Sequence, residues 1–275
     1  MKITAILENT KHHQQFIAKH GLSLYIETKQ ANIIFDLGPD DSYLKNAKLL
    51  NIDLHQASAV VISHGHSDHI GGLNYLNKVN QHAPIYLSSH ALDPHWLKLG
   101  PYYHRVGATP AVNHAYSNRM KFVNEDMEIA EGIHIIHLQP TDAYTKNLYK
   151  GEEKELDDFN HEIMLVIESE KGLVLFSGCS HHGIVQMTKT VLEKFPNKQI
   201  TAIIGGFHLI GLPIINTLGK TKEEVIAMGH TLNELPITRI YSCHCTGPKG
   251  YTILQTILKE KLDCLPTGKT IEIAE

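Results

Sequence analysis

The chain of 275 residues reads as an α+β protein in which two mixed sheets pack face to face and helices cover their outer sides. Two observations lead there. Each half carries its own set of short strand-like runs, and in each half helical runs alternate with strands, as expected when a sheet hides one face against its partner and the other under helices. With no linker, internal repeat or low-complexity tract, the expectation is one domain over residues 1–275.

The first strands are Lys2–Leu7, Leu22–Glu27 and Asn32–Phe35, the last two joined by the polar turn Thr28–Ala31. Asp41–Leu50 repeats apolar residues at Leu44, Ala47 and Leu50 and reads as a helix with an aspartate at its start. Ala59–Ile62 is a buried strand, Asn74–Val79 a helix, Ile85–Leu87 a strand, and His90–Leu97 a further helical turn or two. Residues 98–120 mix Gly, Pro, Tyr and His without periodicity and read as an irregular lid-like insertion. Glu128–Ala130 and Ile133–Leu138 form a hairpin around Gly132, and Asp142–Asn160 is a polar loop. Strands at Glu162–Glu168, Leu173–Phe176, Ile200–Ile204, Arg239–Tyr241 and Thr270–Ile273 then alternate with helices at Ile184–Phe195, Lys222–Leu235 and Gly250–Lys259.

Composition narrows the function. A net charge of −4 without blocks of like charge argues against nucleic acid as partner, and apolar runs such as Ile163–Ile167 are too short to span a bilayer. Met1–Thr10 lacks a basic segment followed by an apolar one, and the four cysteines show no framework spacing, so the expected setting is the reducing cytoplasm. Twenty histidines are the unusual feature. The decisive segment is His64-Gly65-His66-Ser67-Asp68-His69, directly after a strand and before Gly71-Gly72. Its ligand-type side chains cannot share one face of a strand or helix, so a loop must gather them, and imidazoles with a carboxylate suit zinc, iron or manganese.

This motif resembles the metallo-β-lactamase superfamily of metal-dependent hydrolases. Further stretches, His20-Gly21-Leu22-Ser23, Ser177-Gly178-Cys179-Ser180-His181, Gly205-Gly206-Phe207-His208-Leu209 and His244-Cys245-Thr246-Gly247, resemble its subgroup named for 7,8-dihydropterin-6-methyl-4-(β-D-ribofuranosyl)-aminobenzene 5′-phosphate synthase. The resemblance implies a four-layer αβ/βα sandwich, one or two metals at the sheet edge, and Asp36 as an acid supporting the ligands. It also implies that Cys179 stands where many members carry an acidic residue bridging two metals; a small buried role, with thiolate ligation as the alternative, is the reading here.

His64, His66 and His181 form a first ligand set, and Asp68, His69 and His244 a second. Asp68 is also read as catalytic, orienting water, and His208 as contacting substrate or the leaving oxygen. His182 is a bystander, and His161-Glu162 a neighbour of the site. His95, Trp96, Tyr102, Tyr103, His104 and Tyr116 are candidates for a lid stacking on a ring-bearing substrate, with ordinary packing as the alternative. Gly71-Gly72 and Gly205-Gly206 fit no nucleotide loop, and no G-x-S-x-G is present.

The expected function is a metal-dependent hydrolase acting through a metal-bound hydroxide on a small phosphate ester or related molecule, with two divalent ions, zinc first and manganese or iron as alternatives. The subgroup resemblance also permits a synthase-like condensation with loss of pyrophosphate. The other readings are a non-catalytic ligand-binding or signalling protein that keeps the metal, and a diiron oxidoreductase. Substrate and oligomeric state are left open.

Overall fold

The computed structural model describes residues 1–109, 116, 118–140, 147–211 and 217–274. The chain starts as an antiparallel meander of β1 (Lys2–Leu7), β2 (Ser23–Glu27) and β3 (Asn32–Phe35). Helix α1 (Ser42–Leu49) then leads to β4 (Ala59–Val61), parallel to β3. Two single-turn helices, α2 (Ser67–Ile70) and α3 (Leu73–Leu76), lead on to β5 (Ile85–Ser88), parallel to β4. Next come β6 (His95–Leu99), β7 (Tyr102–Arg105) and β8 (Met120–Val123), the last parallel to β5.

The second half opens with β9 (Met127–Ala130), β10 (Ile133–His137), β11 (Leu148–Lys150), β12 (Glu155–Leu156), β13 (Ile163–Ser169) and β14 (Gly172–Phe176). Helix α4 (Ile184–Lys194), β15 (Ile200–Gly205), α5 (Lys222–Glu234), β16 (Ile237–Ser242), α6 (Gly247–Leu258), β17 (Leu262–Cys264) and β18 (Thr270–Glu272) complete it.

Two seven-stranded sheets result, ordered β18-β1-β2-β3-β4-β5-β8 and β17-β16-β15-β14-β13-β10-β9. In each, antiparallel pairing on one side gives way to parallel pairing on the other. The apolar side chains fall into three layers. Along β13, Ile163, Leu165 and Ile167 face the other sheet while Met164 and Val166 face the helices, the period-two split of a strand buried on both sides. The inner layer joins Ile3, Leu24 and Phe35 to Leu165, Val174 and Phe176, with the Phe35 and Phe176 rings 6.0 Å apart. Tyr43, Ala47 and Leu73 cover one outer face, and Met187, Val225, Leu232 and Leu254 the other. This is the four-layer αβ/βα sandwich that the sequence leads one to expect.

Three expectations are corrected. His90–Leu97 is not helical beyond a 3-10 turn at Ser89–Leu92, since β6 begins at His95. Residues 98–120 are not wholly irregular, since they hold β7 and the first residue of β8, and Asp142–Asn160 holds β11 and β12; residues 110–115, 117 and 141–146 lie outside the described residues. These strands make a separate small sheet, β12-β11-β6-β7. The reason is tertiary: β6 lacks β-branched residues, and pairing on both edges overrides its local preference.

Candidate metal centre

The site is built where strands end. Asp36 follows β3, the histidine motif follows β4, Cys179 and His181 follow β14, His208 follows β15, and His244 follows β16. These are the carboxyl ends of the parallel strands, where open α/β sheets gather functional side chains. The loop expected for the motif covers only its first part: Ser67–Ile70 is a helical turn, which projects Asp68 and His69 from a different direction than His64 and His66. Tight packing fixes the turns. A Cβ on Gly178 would lie 2.1 Å from Ser63 Oγ, and one on Gly65 would lie 2.3 Å from the Ala91 carbonyl, so neither position tolerates a side chain. Asp36, Ser180, His208 and His244 all hold positive φ, from 47 to 58°, a concentration of backbone strain around one centre.

Asp36 is the organiser. Its Oδ1 accepts from the Ser63 amide (2.7 Å); its Oδ2 accepts from Ser63 Oγ (2.7 Å) and His69 Nδ1 (2.7 Å). Ser63 Oγ in turn accepts from His64 Nδ1 at 2.9 Å. One fully buried carboxylate thus directs the Nε2 atoms of both His64 and His69 into the centre.

Around His64 Nε2 stand His66 Nδ1 at 3.1 Å and His181 Nε2 at 3.4 Å. Burial above all drives the pKa of each of these three imidazoles well below the ordinary value, so they are neutral at pH 7. The remaining nitrogens of His66 and His181, Nε2 and Nδ1, are buried without a hydrogen-bond partner among the described residues. The second cluster sets His69 Nε2 at 3.1 Å from His244 Nε2 and 3.7 Å from Asp68 Oδ2, which is itself 3.2 Å from His244 Nε2. Here burial lowers the His69 pKa, but the Asp36 and Asp68 carboxylates outweigh it and raise it to about 9. Asp68 is held well below the carboxylate range: burial raises it, and His69, His20 and His244 overcome that.

These donors fit divalent ions. Tetrahedral zinc with bonds of about 2.0–2.1 Å places its ligands about 3.3–3.4 Å apart, close to the separations in both clusters. Cys179 Sγ lies 3.3 Å from His69 Nε2 and shares groupings with both His64–His181 and His69–His244. It therefore stands between the two sets, as a thiol kept protonated by burial.

His208 is half-buried beside His181, ring centroids 4.3 Å apart, and its buried Nδ1 has no partner among the described residues. Its amide donates to Cys245 Sγ at 3.2 Å. The centre opens on a cavity of roughly 680 Å³ reached by His66, Asp68, His208, His244 and Lys220 and walled by Leu97, Val106 and Leu148 of the small sheet's region. This volume suits a small molecule.

For Trp96, Tyr103, Tyr116 and His95 the packing alternative is what the structure shows. Trp96 and Tyr103 lie on the other face of the small sheet, with Lys154 over both rings, while Tyr116 is buried in the outer helix layer. His95 is fully buried and donates through Nδ1 to Asp157 Oδ2 at 3.2 Å. The same oxygen accepts from His161 Nε2 (3.2 Å), and His161 Nδ1 accepts from the Gly65 amide (3.0 Å). This chain, tying the small sheet to the peptide between His64 and His66, includes Asp157, which sequence reasoning missed. Glu162, read only as half of a pair neighbouring the site, accepts the amides of His181 and His182 and the His182 Nδ1 proton, which makes His182 a brace and not a bystander. Phe159 stacks on His181 at 4.4 Å. Only the pair His161-Glu162 carried a signal of this support in the sequence.

The chain belongs to the metallo-beta-lactamase superfamily, whose family model matches residues 18–187. Within it, the chain is similar over its length to 7,8-dihydropterin-6-methyl-4-(beta-D-ribofuranosyl)-aminobenzene-5′-phosphate synthase of Methanocaldococcus jannaschii, at 30% identity covering 99% of this chain and 96% of that protein. A solved metal-dependent hydrolase of the beta-lactamase superfamily superposes with a TM-score of 0.85 at 29% identity over all of both chains. Zinc-bound PqqB from Methylobacterium extorquens shares the fold, with a TM-score of 0.59 at 11% identity over 99% of this chain and all of that one. Among the described residues no helix is long and apolar enough to cross a membrane.

Proposed function

We propose that the protein is a binuclear metal-dependent hydrolase of a small phosphate ester, with His64, His66 and His181 holding one divalent ion and Asp68, His69 and His244 the other. The observation that carries this reading is the pair of adjoining donor clusters, with ligand-like separations, at the floor of an open cavity. Bound there, such ions supply an activated water and electrophilic pull on a phosphoryl or carbonyl oxygen. The residues do the rest. Asp36 and Ser63 keep the ligand nitrogens aimed, and Asp68 accepts a hydrogen bond from the attacking water. His208, at the cavity wall, hydrogen-bonds the leaving oxygen, and Lys220 supplies positive charge for an anionic group.

A synthase-like condensation is the second reading, favoured by the 30% identity over the whole chain. Both need the same ions, so metal loading followed by assay on phosphodiesters and on pterin phosphates tests them together. Hydrolysis of a phosphodiester lost in Asp68→Ala supports the first. A loaded protein inert on every phosphate ester, thioester and lactone tried would overturn it and leave a ligand-binding role.

A further inference from the structure

Asn9 lies just beyond β1, and its side chain reaches both His244 and His20. Two backbone groups fix which way its amide points. The Gly21 amide donates to Asn9 Oδ1 at 3.2 Å, and Asn9 Nδ2 donates to the His244 carbonyl at 3.3 Å. An N–H needs an acceptor and a carbonyl needs a donor, so the amide cannot turn over without losing both bonds. With the amide fixed, each imidazole is read in turn. His244 Nδ1 stands 2.9 Å from Oδ1 and must donate, so in the neutral ring Nε2 carries the lone pair beside Asp68 and His69. His20 Nδ1 stands 3.3 Å from Nδ2 and must accept, which puts the proton on Nε2, 3.3 Å from Asp68 Oδ2.

We propose that Asn9 is a positioning residue of the second half-site, one amide that imposes opposite tautomers on His244 and His20. The first ring then offers a lone pair for a cation, and the second offers a proton that anchors the Asp68 carboxylate. His20 and Asp68 both line the cavity, so this proton is held at the cavity wall. The metal consequence rests on the binuclear reading above; the tautomers do not.

Two-bond proton–nitrogen spectra of the metal-free protein labelled with ¹⁵N-histidine read this directly, at a pH where neither ring is doubly protonated. His20→Gln and His244→Gln assign the signals. The expected wild-type pattern is Nδ1–H for His244 and Nε2–H for His20. In Asn9→Asp the carboxylate still accepts from His244 but cannot donate to His20, so His244 stays as it is and His20, now between the new carboxylate and Asp68, gains a proton on Nδ1 while keeping the one on Nε2. In Asn9→Ala, zinc titration should weaken the second equivalent by about 10–100-fold and spare the first, the usual cost of losing a ligand's orienting partner. The proposal is overturned if the wild-type rings show the reverse or mixed tautomers, or if His20 Nδ1 stays without a proton in Asn9→Asp. It is also overturned if Asn9→Ala binds both zinc equivalents as wild type does. Should Asn9→Ala fail to fold, the Asn9→Asp spectrum decides. A wild type that takes up no second zinc contradicts the binuclear reading and leaves the tautomers to be judged on their own.

Discussion

Single side chains explain why two similar histidine clusters behave differently toward protons. His64, His66 and His181 are desolvated with no charged partner strong enough to compensate, and are neutral at pH 7. His69 lies between Asp36 and Asp68 and holds a proton up to about pH 9. An ion entering beside His69 must displace that proton, so the second zinc should tighten by about tenfold per pH unit as pH approaches 9, while the first changes little above neutrality. Isothermal titration across that range checks the difference in slope. The sign for folding is the reverse: a raised pKa stabilises the metal-free protein fully below the ordinary 6.5 and loses that contribution as pH rises through about 9, which urea midpoints would register. Asp36→Ala removes the acceptor for His69 and frees Ser63 from its acceptor, and should weaken both ions by about 10–100-fold in the same titration. At this scale the motif residues were legible because His64 to His69 are crowded into one short stretch. Asn9 and Asp157 were not, because Asn9 acts on a histidine 235 positions away and Asp157 works by tying His161 to His95, 62 positions off; Glu162 was marked only by the adjoining His161, while its work is on His181 and His182.

At the scale of elements, the small sheet is what the sequence hid. Its strands are two to five residues long, β6 is written in helix-compatible residues, and the pairing of Trp96 with Tyr149 joins segments more than fifty positions apart. Local periodicity has no access to such a partner. By contrast β13, β14 and α4 announced themselves, since each faces one or two apolar layers along its own length. The small sheet is joined to the ligand loop through Asp157, and also by Ser67, whose amide donates to the Val106 carbonyl at 2.6 Å. Asp157→Ala would leave the buried His95 and His161 donors without their acceptor, at about 1–3 kcal/mol for each. Denaturant unfolding should show that loss, together with a weaker first zinc, because the Gly65 peptide is no longer braced.

The whole molecule is two sheets whose strand ends meet over a shared apolar layer, and the site depends on that layer staying rigid. Phe35 precedes Asp36 and Phe176 precedes Ser177, so one ring contact sits under both halves of the centre. Phe176→Ala should cost about 3–5 kcal/mol in unfolding free energy, read by denaturant titration of the metal-free protein. The sandwich itself was legible from alternating strands and helices. What assembled the site was the convergence of strand ends from both sheets, which the sequence revealed only through the position of each histidine after a strand. The binuclear centre is the claim on which the rest stands, and metal content is its most direct measure. Protein purified without added metal, then loaded with zinc and analysed by plasma mass spectrometry, should carry two equivalents, with His66→Ala keeping no more than one. A single equivalent in wild type, or two in His66→Ala, would contradict it.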